Sequence, residues 1–532
     1  MTYDYIIIGS GFGGSVSAHR LTEKGYRVLV LEKGKRFGKA DFPKDNRDLK
    51  RWMWKPSAGL HGIFQMSFFD HVTVMHGVGV GGGSLTYANT LPTPQTAFFE
   101  SKSWAHLANW KQELAPHYAT AKRMLGATRY PLVTYQDTII EQIAKDIGRE
   151  DHYGPTEVAV YFGEPGKKSA DPYFDGQGPD RVGCTQCGAC MTGCRVGAKN
   201  TLDQNYLYLA EKAGAVVMPE REVMAVRPKA GGGYRVETKP SITKGPDEVF
   251  EAANVIFSGG VMGTIPLLLK MKEDPKGLPK LSNRLGASVR TNSEALFGVV
   301  APDLDGNMAE GIAITSILHT DDHSHIEPVR YGHGSDFFRW MVLPHAPGKN
   351  FVARLGGAVK QFAQRPGFVK RAYSIPREEF AEKTATLLFM RTLDGTLSLK
   401  FGRSALNGFT RQLVSVLDDP KDAPQAFMED ATDLARRFAE KVQGIAVSMV
   451  SETLFGSPST AHILGGACMG RSASEGVIDA QHRVFGYDGL YVIDGSAVSA
   501  NPGVNPSLTI TALAERAMSF IAARGEASAA AE

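Results

Sequence analysis

The chain has 532 residues, 43% of them hydrophobic and 22% charged, with a formal net charge of +3. That length exceeds what one hydrophobic core ordinarily holds and suits two interleaved domains. So small a net charge argues against nucleic acid as a partner, and no apolar run reaches the ~18–20 residues that span a bilayer. As written, the chain opens Met1-Thr2-Tyr3-Asp4 and enters an apolar strand at once. That leaves no room for a signal peptide and predicts a cytoplasmic protein.

Tyr5 to Ile8 reads as a short, fully apolar parallel strand. It runs into Gly9-Ser10-Gly11-Phe12-Gly13-Gly14, a helix-like stretch to about Lys24, then a second strand from Arg27 to Leu31 that closes on Glu32. This is a βαβ start carrying G-x-G-x-x-G at Gly9, Gly11 and Gly14. Gly9 permits the tight turn, Gly11 lets backbone approach a pyrophosphate, and Gly14 lets helix pack on strand. The helix N-terminus supplies amides and partial positive charge for the phosphates. Glu32 is placed to hydrogen-bond a ribose diol and would repel a 2′-phosphate.

The motif alone does not separate FAD from NAD. A second glycine cluster, Gly77-Val78-Gly79-Val80-Gly81-Gly82-Gly83-Ser84-Leu85-Thr86-Tyr87-Ala88-Asn89, points to FAD. So many glycines suit a backbone lying flat against an extended cofactor, although a plain glycine-rich turn is the alternative.

Four of the five cysteines crowd together as Cys184-x2-Cys187-x2-Cys190-x3-Cys194, and Cys468 stands alone. The spacing is that of a bacterial ferredoxin run, with Arg195 in place of the usual proline. Three readings stay open: an iron–sulfur cluster, free or disulfide-linked thiols in a tight loop, or zinc held by four thiolates. A cluster would relay electrons to an acceptor protein.

Taken together, GVGVGGGSLTYANT, VIFSGGVMGTIPLLL (Val255 to Leu269), HILGG (His462 to Gly466), GLYVIDGSAVSA and NPGVNPSLTITALAERAM stand in the order of the glucose–methanol–choline (GMC) oxidoreductases. The chain resembles that family over its whole length and is most similar to its bacterial cholesterol oxidases. The resemblance implies a doubly wound, Rossmann-like FAD domain from residues 1–40, 200–289 and 470–525. It implies an α+β substrate domain on a largely antiparallel sheet from 41–199 and 290–469, holding the flavin loop 77–90 and the cysteine run. Residues 526–532 are expected to be a disordered tail.

The family's chemistry is alcohol oxidation, in which the flavin takes a hydride and a protein group takes the hydroxyl proton. The resemblance assigns that proton to His462, and assigns Asn505 to orienting the substrate oxygen and the flavin. Steroid-oxidising relatives also carry a Glu that moves a proton between carbons. Glu294, in Thr291-Asn292-Ser293-Glu294, is a candidate for it; a surface or capping role is the alternative. Besides the residues of the first loop, the cofactor contacts expected are Gly79, Gly82, Gly83, Ser84, Asn89, Val223, Gly260, Asp494, Gly495, Asn505 and Pro506. Phe12 belongs with Gly9, Gly11, Gly14 and Glu32. Choline oxidase and some other relatives tether their flavin through a His shortly after the glycine cluster. This chain has Thr86 there and His76 before the cluster, so FAD is expected to be non-covalent.

The expected substrate is a hydrophobic secondary alcohol, with a 3β-hydroxysteroid such as cholesterol favoured. The alternatives are a GMC dehydrogenase for a terpenoid or other alcohol with a non-oxygen acceptor, and a non-catalytic electron-transfer flavoprotein. Phe337, Phe338 and Trp340 would suit an apolar pocket or an ordinary core. The acceptor is oxygen or an electron-acceptor protein, and transient membrane contact stays open.

Overall fold

The computed structural model describes residues 2–393, 395–405 and 408–525, so the expected tail at 526–532 lies outside the described residues. Strands β1 (Thr2–Ile8) and β2 (Val28–Leu31) pair in parallel, with helix α1 (Phe12–Glu23) as their crossover. All four residues of β2 are buried, as an apolar run covered on both faces must be. On the other side of β1 lies β3 (Glu248–Phe257), parallel, with Ile8 beside Phe257. Val216–Met218 extends the sheet beyond β2, and Leu490–Val492 extends it beyond β3. An antiparallel pair, Arg221–Pro228 and Tyr234–Pro240, joins the N-terminal half of β3. Strands far apart in sequence thus share one doubly wound sheet, and β3 feeds helix α2 (Val261–Glu273).

A second sheet is antiparallel throughout. Its central strands are β4 (Ala295–Val300), β5 (Ser324–Val329), β6 (Thr384–Arg391) and β7 (Ile445–Met449). The order is Val342–Pro344, β7, β4, β6, β5, Ser316–His319, Tyr153–Pro155. Side chains alternate across it. Leu387 and Phe389 of β6 meet Ile139 and Ile143 of helix Tyr135–Asp146 and Leu434 and Phe438 of helix Glu429–Lys441 in one core. Thr386 and Leu388 face the other way, into a cavity. Helix α3 (Phe351–Gln364) packs beside the edge strand Val342–Pro344. Helix α4 (Ser507–Ser519) packs on α1 and on helix Trp110–Leu125. The expected combination of a doubly wound FAD-type sheet with an antiparallel α+β unit is the fold observed.

The sheets are stitched where the chain crosses between them. Arg290 and Leu464 exchange backbone hydrogen bonds of 2.8 and 2.9 Å, which lays the entry to β4 against the loop that carries His462.

Candidate active site

One cavity of about 620 Å³ runs between the sheets, from the end of β1 to the inner face of β4, β6 and β7. Its first end is largely backbone. Gly9, Gly11, Phe12, Glu32 and Val223 line it, followed by Gly82, Gly83 and Gly260. Asp494, Gly495, Asn505 and Pro506 line its middle.

Four expected contacts do not line the cavity, and each has another task. A Cβ on Gly14 would sit 2.1 Å from the Gly9 carbonyl oxygen, so this glycine serves the close packing of α1 on the loop. The Gly79 carbonyl accepts a bond from the Ser10 hydroxyl at 3.3 Å. The Ser84 hydroxyl donates to the Gly81 carbonyl at 2.7 Å and accepts from the Leu202 amide at 3.0 Å. Asn89 is fully buried with φ 67°, and its carbonyl receives the Ala159 amide at 2.8 Å.

Glu32 is committed as well as exposed to the cavity. Its carboxylate accepts the Ser10 hydroxyl at 2.7 Å, the Ser10 amide at 3.1 Å and the Gly34 amide at 2.8 Å, fixing the loop ahead of α1. Asp494 is a knot of the same kind. It accepts from the Gly260 amide at 2.9 Å, the Thr264 hydroxyl at 2.5 Å and the Ser496 amide at 2.8 Å. Burial pushes its carboxyl above the usual range against those bonds.

The first end fits a flavin dinucleotide. A Cβ on Gly82 would stand 2.6 Å from the Gly11 Cα, whereas one on Gly11 would meet nothing within 4 Å. The two glycine loops therefore touch while the space beside Gly11 stays open. The N-termini of α1 and α4 both border the cavity, one at Gly11 and one at Asn505-Pro506-Ser507. The Asn505 Oδ1 is buried without a partner, a polar atom left for a ligand.

His462 enters where the glycine end meets the sheet end. Asn292 and Ser293 adopt consecutive left-handed conformations, φ 61° and 44°, which non-glycine residues take at some cost. That turn delivers Glu294 to His462. Its carboxylate Oε2 lies 2.7 Å from the imidazole Nδ1, and Oε1 accepts the Ala461 amide at 2.8 Å and the His462 amide at 3.3 Å. Glu294 is fully inaccessible and does not itself line the cavity. Burial lowers the pKa of His462, but the charge and hydrogen bond of Glu294, with the charge of Glu327, carry it above the ordinary value. Asn292 Nδ2 donates to the Val504 carbonyl at 2.9 Å, tying the same turn to the segment that presents Asn505.

Two carboxylates escaped the sequence reading. Glu327 of β5 stands opposite Leu388 in register, as Val329 stands opposite Thr386, which puts it on the cavity side of the sheet, although like Glu294 it does not line the cavity. It is fully buried, and neither oxygen has a hydrogen-bond partner; His325 Nε2 is 3.7 Å away. The signal was a lone Glu in the apolar alternation of Ser324–Val329, legible only once that strand is known to face the cavity. Glu452 accepts from the Ser459 amide at 3.1 Å and the Met449 amide at 3.3 Å. Burial pushes its carboxyl up to about 8.

The sheet end is apolar, walled by Leu296, Val329, Phe338, Leu388, Val447 and Met449. Of the expected aromatics only Phe338 reaches it. Phe337 packs on Trp52 at 5.0 Å, and Trp340 is 67% exposed.

The cysteine run corrects the expectation of a metal centre. Cys184 and Cys190 are buried, Cys187 is exposed and Cys194 is intermediate. Among the described residues no three His, Cys, Asp or Glu side chains converge to hold a metal ion. Backbone bonds dictate this. Gly188 turns left-handed to pair with Gly311, and Gly193 takes a second positive φ, so the loop's course is fixed by backbone bonds. The donor set does not fit an iron–sulfur cluster or a four-thiolate zinc.

Sequence comparison agrees with the geometry. Models described as GMC oxidoreductase match residues 177–271 and 407–514, and a NAD(P)-binding Rossmann-like model matches 7–74. A protein named cholesterol oxidase from Acinetobacter baumannii is 44% identical over 98% of this chain and 95% of its own. The chain belongs to the GMC oxidoreductase family. As a GMC protein it is an FAD-dependent alcohol oxidoreductase. A Mycobacterium tuberculosis cholesterol oxidase is likewise 44% identical, over 98% of this chain and 92% of its own. A long-chain-alcohol oxidase of Arabidopsis thaliana is 24% identical over 96% of this chain and 66% of its own. The crystal structure of pyridoxine 4-oxidase from Mesorbium loti superposes with a TM-score of 0.61 at 14% identity, covering 98% of this chain and 99% of that one, a likeness of fold.

Proposed function

We propose that this GMC enzyme oxidises a hydrophobic secondary alcohol, a 3β-hydroxysteroid above others, to the ketone. The carrying observation is His462, 2.7 Å from Glu294 and lining the same cavity as Asn505, at the junction of a dinucleotide cradle and an apolar chamber. The relatives named cholesterol oxidase support the steroid and favour oxygen as acceptor. When bound, non-covalent FAD supplies the hydride acceptor. Because Glu294 faces Nδ1, the proton there is fixed and Nε2 is the nitrogen that takes the hydroxyl proton. The unpartnered Oδ1 of Asn505 can accept a hydrogen bond from the substrate hydroxyl or from the ring. The apolar wall excludes water and accepts a rigid hydrocarbon body.

The carboxylate that would shift a proton between ring carbons is, in our reading, Glu327 and not Glu294. Glu294 Oε1 is taken by two amides and its Oε2 lies 2.7 Å from His462, whereas neither oxygen of Glu327 accepts a hydrogen bond and its ion-pair contact with His325 is long, at 3.7 Å.

The test is anaerobic. Purified protein should be yellow, release FAD on denaturation, and bleach when a 3β-hydroxysteroid is added. Bleaching by terpenoid alcohols but not by sterols would move the substrate assignment, and flavin retained on the peptide would refute the non-covalent cofactor.

A further inference from the structure

Helix α3 is inside out. In a surface helix the apolar stripe normally faces the core and the charges face water. Here Phe351, Val352, Leu355 and Val359 form one stripe, spaced as neighbours on a helix, and all four are exposed; Val352 is 75% and Val359 57% accessible. The buried side carries Arg354, whose guanidinium donates to the carbonyls of Gly348, Thr453 and Leu454 at 2.9–3.1 Å. Those bonds lock the helix with its apolar stripe outward. Phe455, 72% exposed, ends the segment that receives Arg354, and Trp340, 67% exposed, packs against exposed Tyr373 at 5.9 Å.

The charge of this surface is one-sided. Between Asp336 and Glu378 the sequence contains no acid, while Lys349, Lys360, Arg365, Lys370, Arg371 and Arg377 are all exposed. Arg371 meets Asp303 at 3.0 Å and Arg377 stands 3.9 Å from Asp336, both acids contributed from outside the stretch. The same strap roofs the apolar chamber, since Phe338, Val342 and Phe380 line the cavity from either side of it.

We propose that α3 and its flanks are a docking surface for an anionic lipid bilayer, on which the mouth of the apolar chamber rests. An amphipathic helix with apolar residues outward and a cationic rim lies in a membrane interface, its apolar stripe among the acyl chains and its cations among the headgroups. Among the described residues no helix is long and apolar enough to cross a membrane, so the contact is peripheral. A second copy of the chain is the poorer occupant: a twofold contact would bring two predominantly cationic faces together.

The experiment is co-sedimentation of the FAD-loaded enzyme with vesicles of phosphatidylcholine alone or mixed with phosphatidylserine, scored by protein in the pellet and needing no turnover. The wild type should pellet with the mixed vesicles, weaken at high salt, and blue-shift its tryptophan emission as Trp340 leaves water. The doubly substituted V352E/V359E enzyme should lose binding at least tenfold while its FAD content and its reduction by a soluble alcohol stay unchanged. A K360E/K370E enzyme should lose the preference for phosphatidylserine. Wild-type protein left in the supernatant with anionic vesicles overturns the proposal, as does V352E/V359E binding as well as wild type, or a concentration-dependent dimer that V352E/V359E abolishes. Since no alcohol is oxidised in the assay, failure of the steroid assignment leaves its outcome intact.

Discussion

At one end of the cavity the wall is backbone; at the other it is side chain. Gly9, Gly11, Gly82 and Gly260 line the first end with main chain that a cofactor could approach closely, and a Cβ at Gly82 would collide with the opposite loop. The sheet end presents particular side chains, Leu388, Val447 and Phe338 for shape and His462 for charge, with the buried Glu294 at 2.7 Å from the imidazole. The first end is defined by what is missing from the side chains and tolerates almost no change. The second is defined by what they carry and can be tuned step by step.

That contrast can be probed at five points, in falling order of effect. Gly82→Val should abolish FAD binding, leaving a colourless protein, because its side chain would push Gly11 away from the position it must hold. Yellow protein with full flavin content would show that the two loops are less tightly fitted than the contact implies.

At the sheet end, His462→Ala should bind FAD normally and slow flavin reduction by about 10²–10⁴-fold, the scale of a lost general acid–base group. Stopped-flow reduction under anaerobic conditions measures it, and unchanged rates would remove His462 from catalysis.

Glu294→Gln should cost less and act through pH. His462 takes a proton only when Nε2 is neutral, so the rate rises with pH through its raised pKa. Removing the carboxylate destabilises the imidazolium, lowers that pKa and moves the acid limb to lower pH. An acid limb that stays where it was would mean that Glu294 shapes the loop without tuning the ring.

The smallest effects lie away from both ends. Glu452 holds its proton up to about pH 8 in the folded protein, well above an unfolded carboxyl, so the folded state binds more protons between those values and loses stability as pH rises through the window. Glu452→Gln should flatten the fall of Tm across that range without changing it at lower pH. Cys187→Ser should leave flavin content, iron content and reduction rate untouched; loss of iron or of electron transfer in that variant would restore the relay idea.

How legible each part was follows from the same contrast. The βαβ start could be read because its requirements are local: a turn, a close approach, a packed helix and an acid all fall within residues 5–32. Gly14 and Ser84 stand out as constrained, but in the structure their constraints are packing and internal hydrogen bonds, which sequence cannot distinguish from ligand contact. Glu294 was picked out by its place in the chain, and its partner could not be, because the 168 residues to His462 are closed by a left-handed turn and the Arg290–Leu464 bridge.

The sequence by itself determined the cofactor class and the family, since each is written in short motifs whose chemistry depends on neighbours in the chain, and it nominated His462 and Asn505 through the family resemblance. Tertiary structure alone decided which carboxylate stands 2.7 Å from the imidazole, on which side of its sheet Glu327 lies, and that among the described residues no three His, Cys, Asp or Glu side chains converge on a metal site. It also decided which face of α3 meets water. The physical reason is common to all of them: direction. A spacing in sequence says which residues are near each other along the chain, but where a carboxylate, a thiol or an apolar stripe points is set by strand register and by turns, and those are fixed only when distant segments pack.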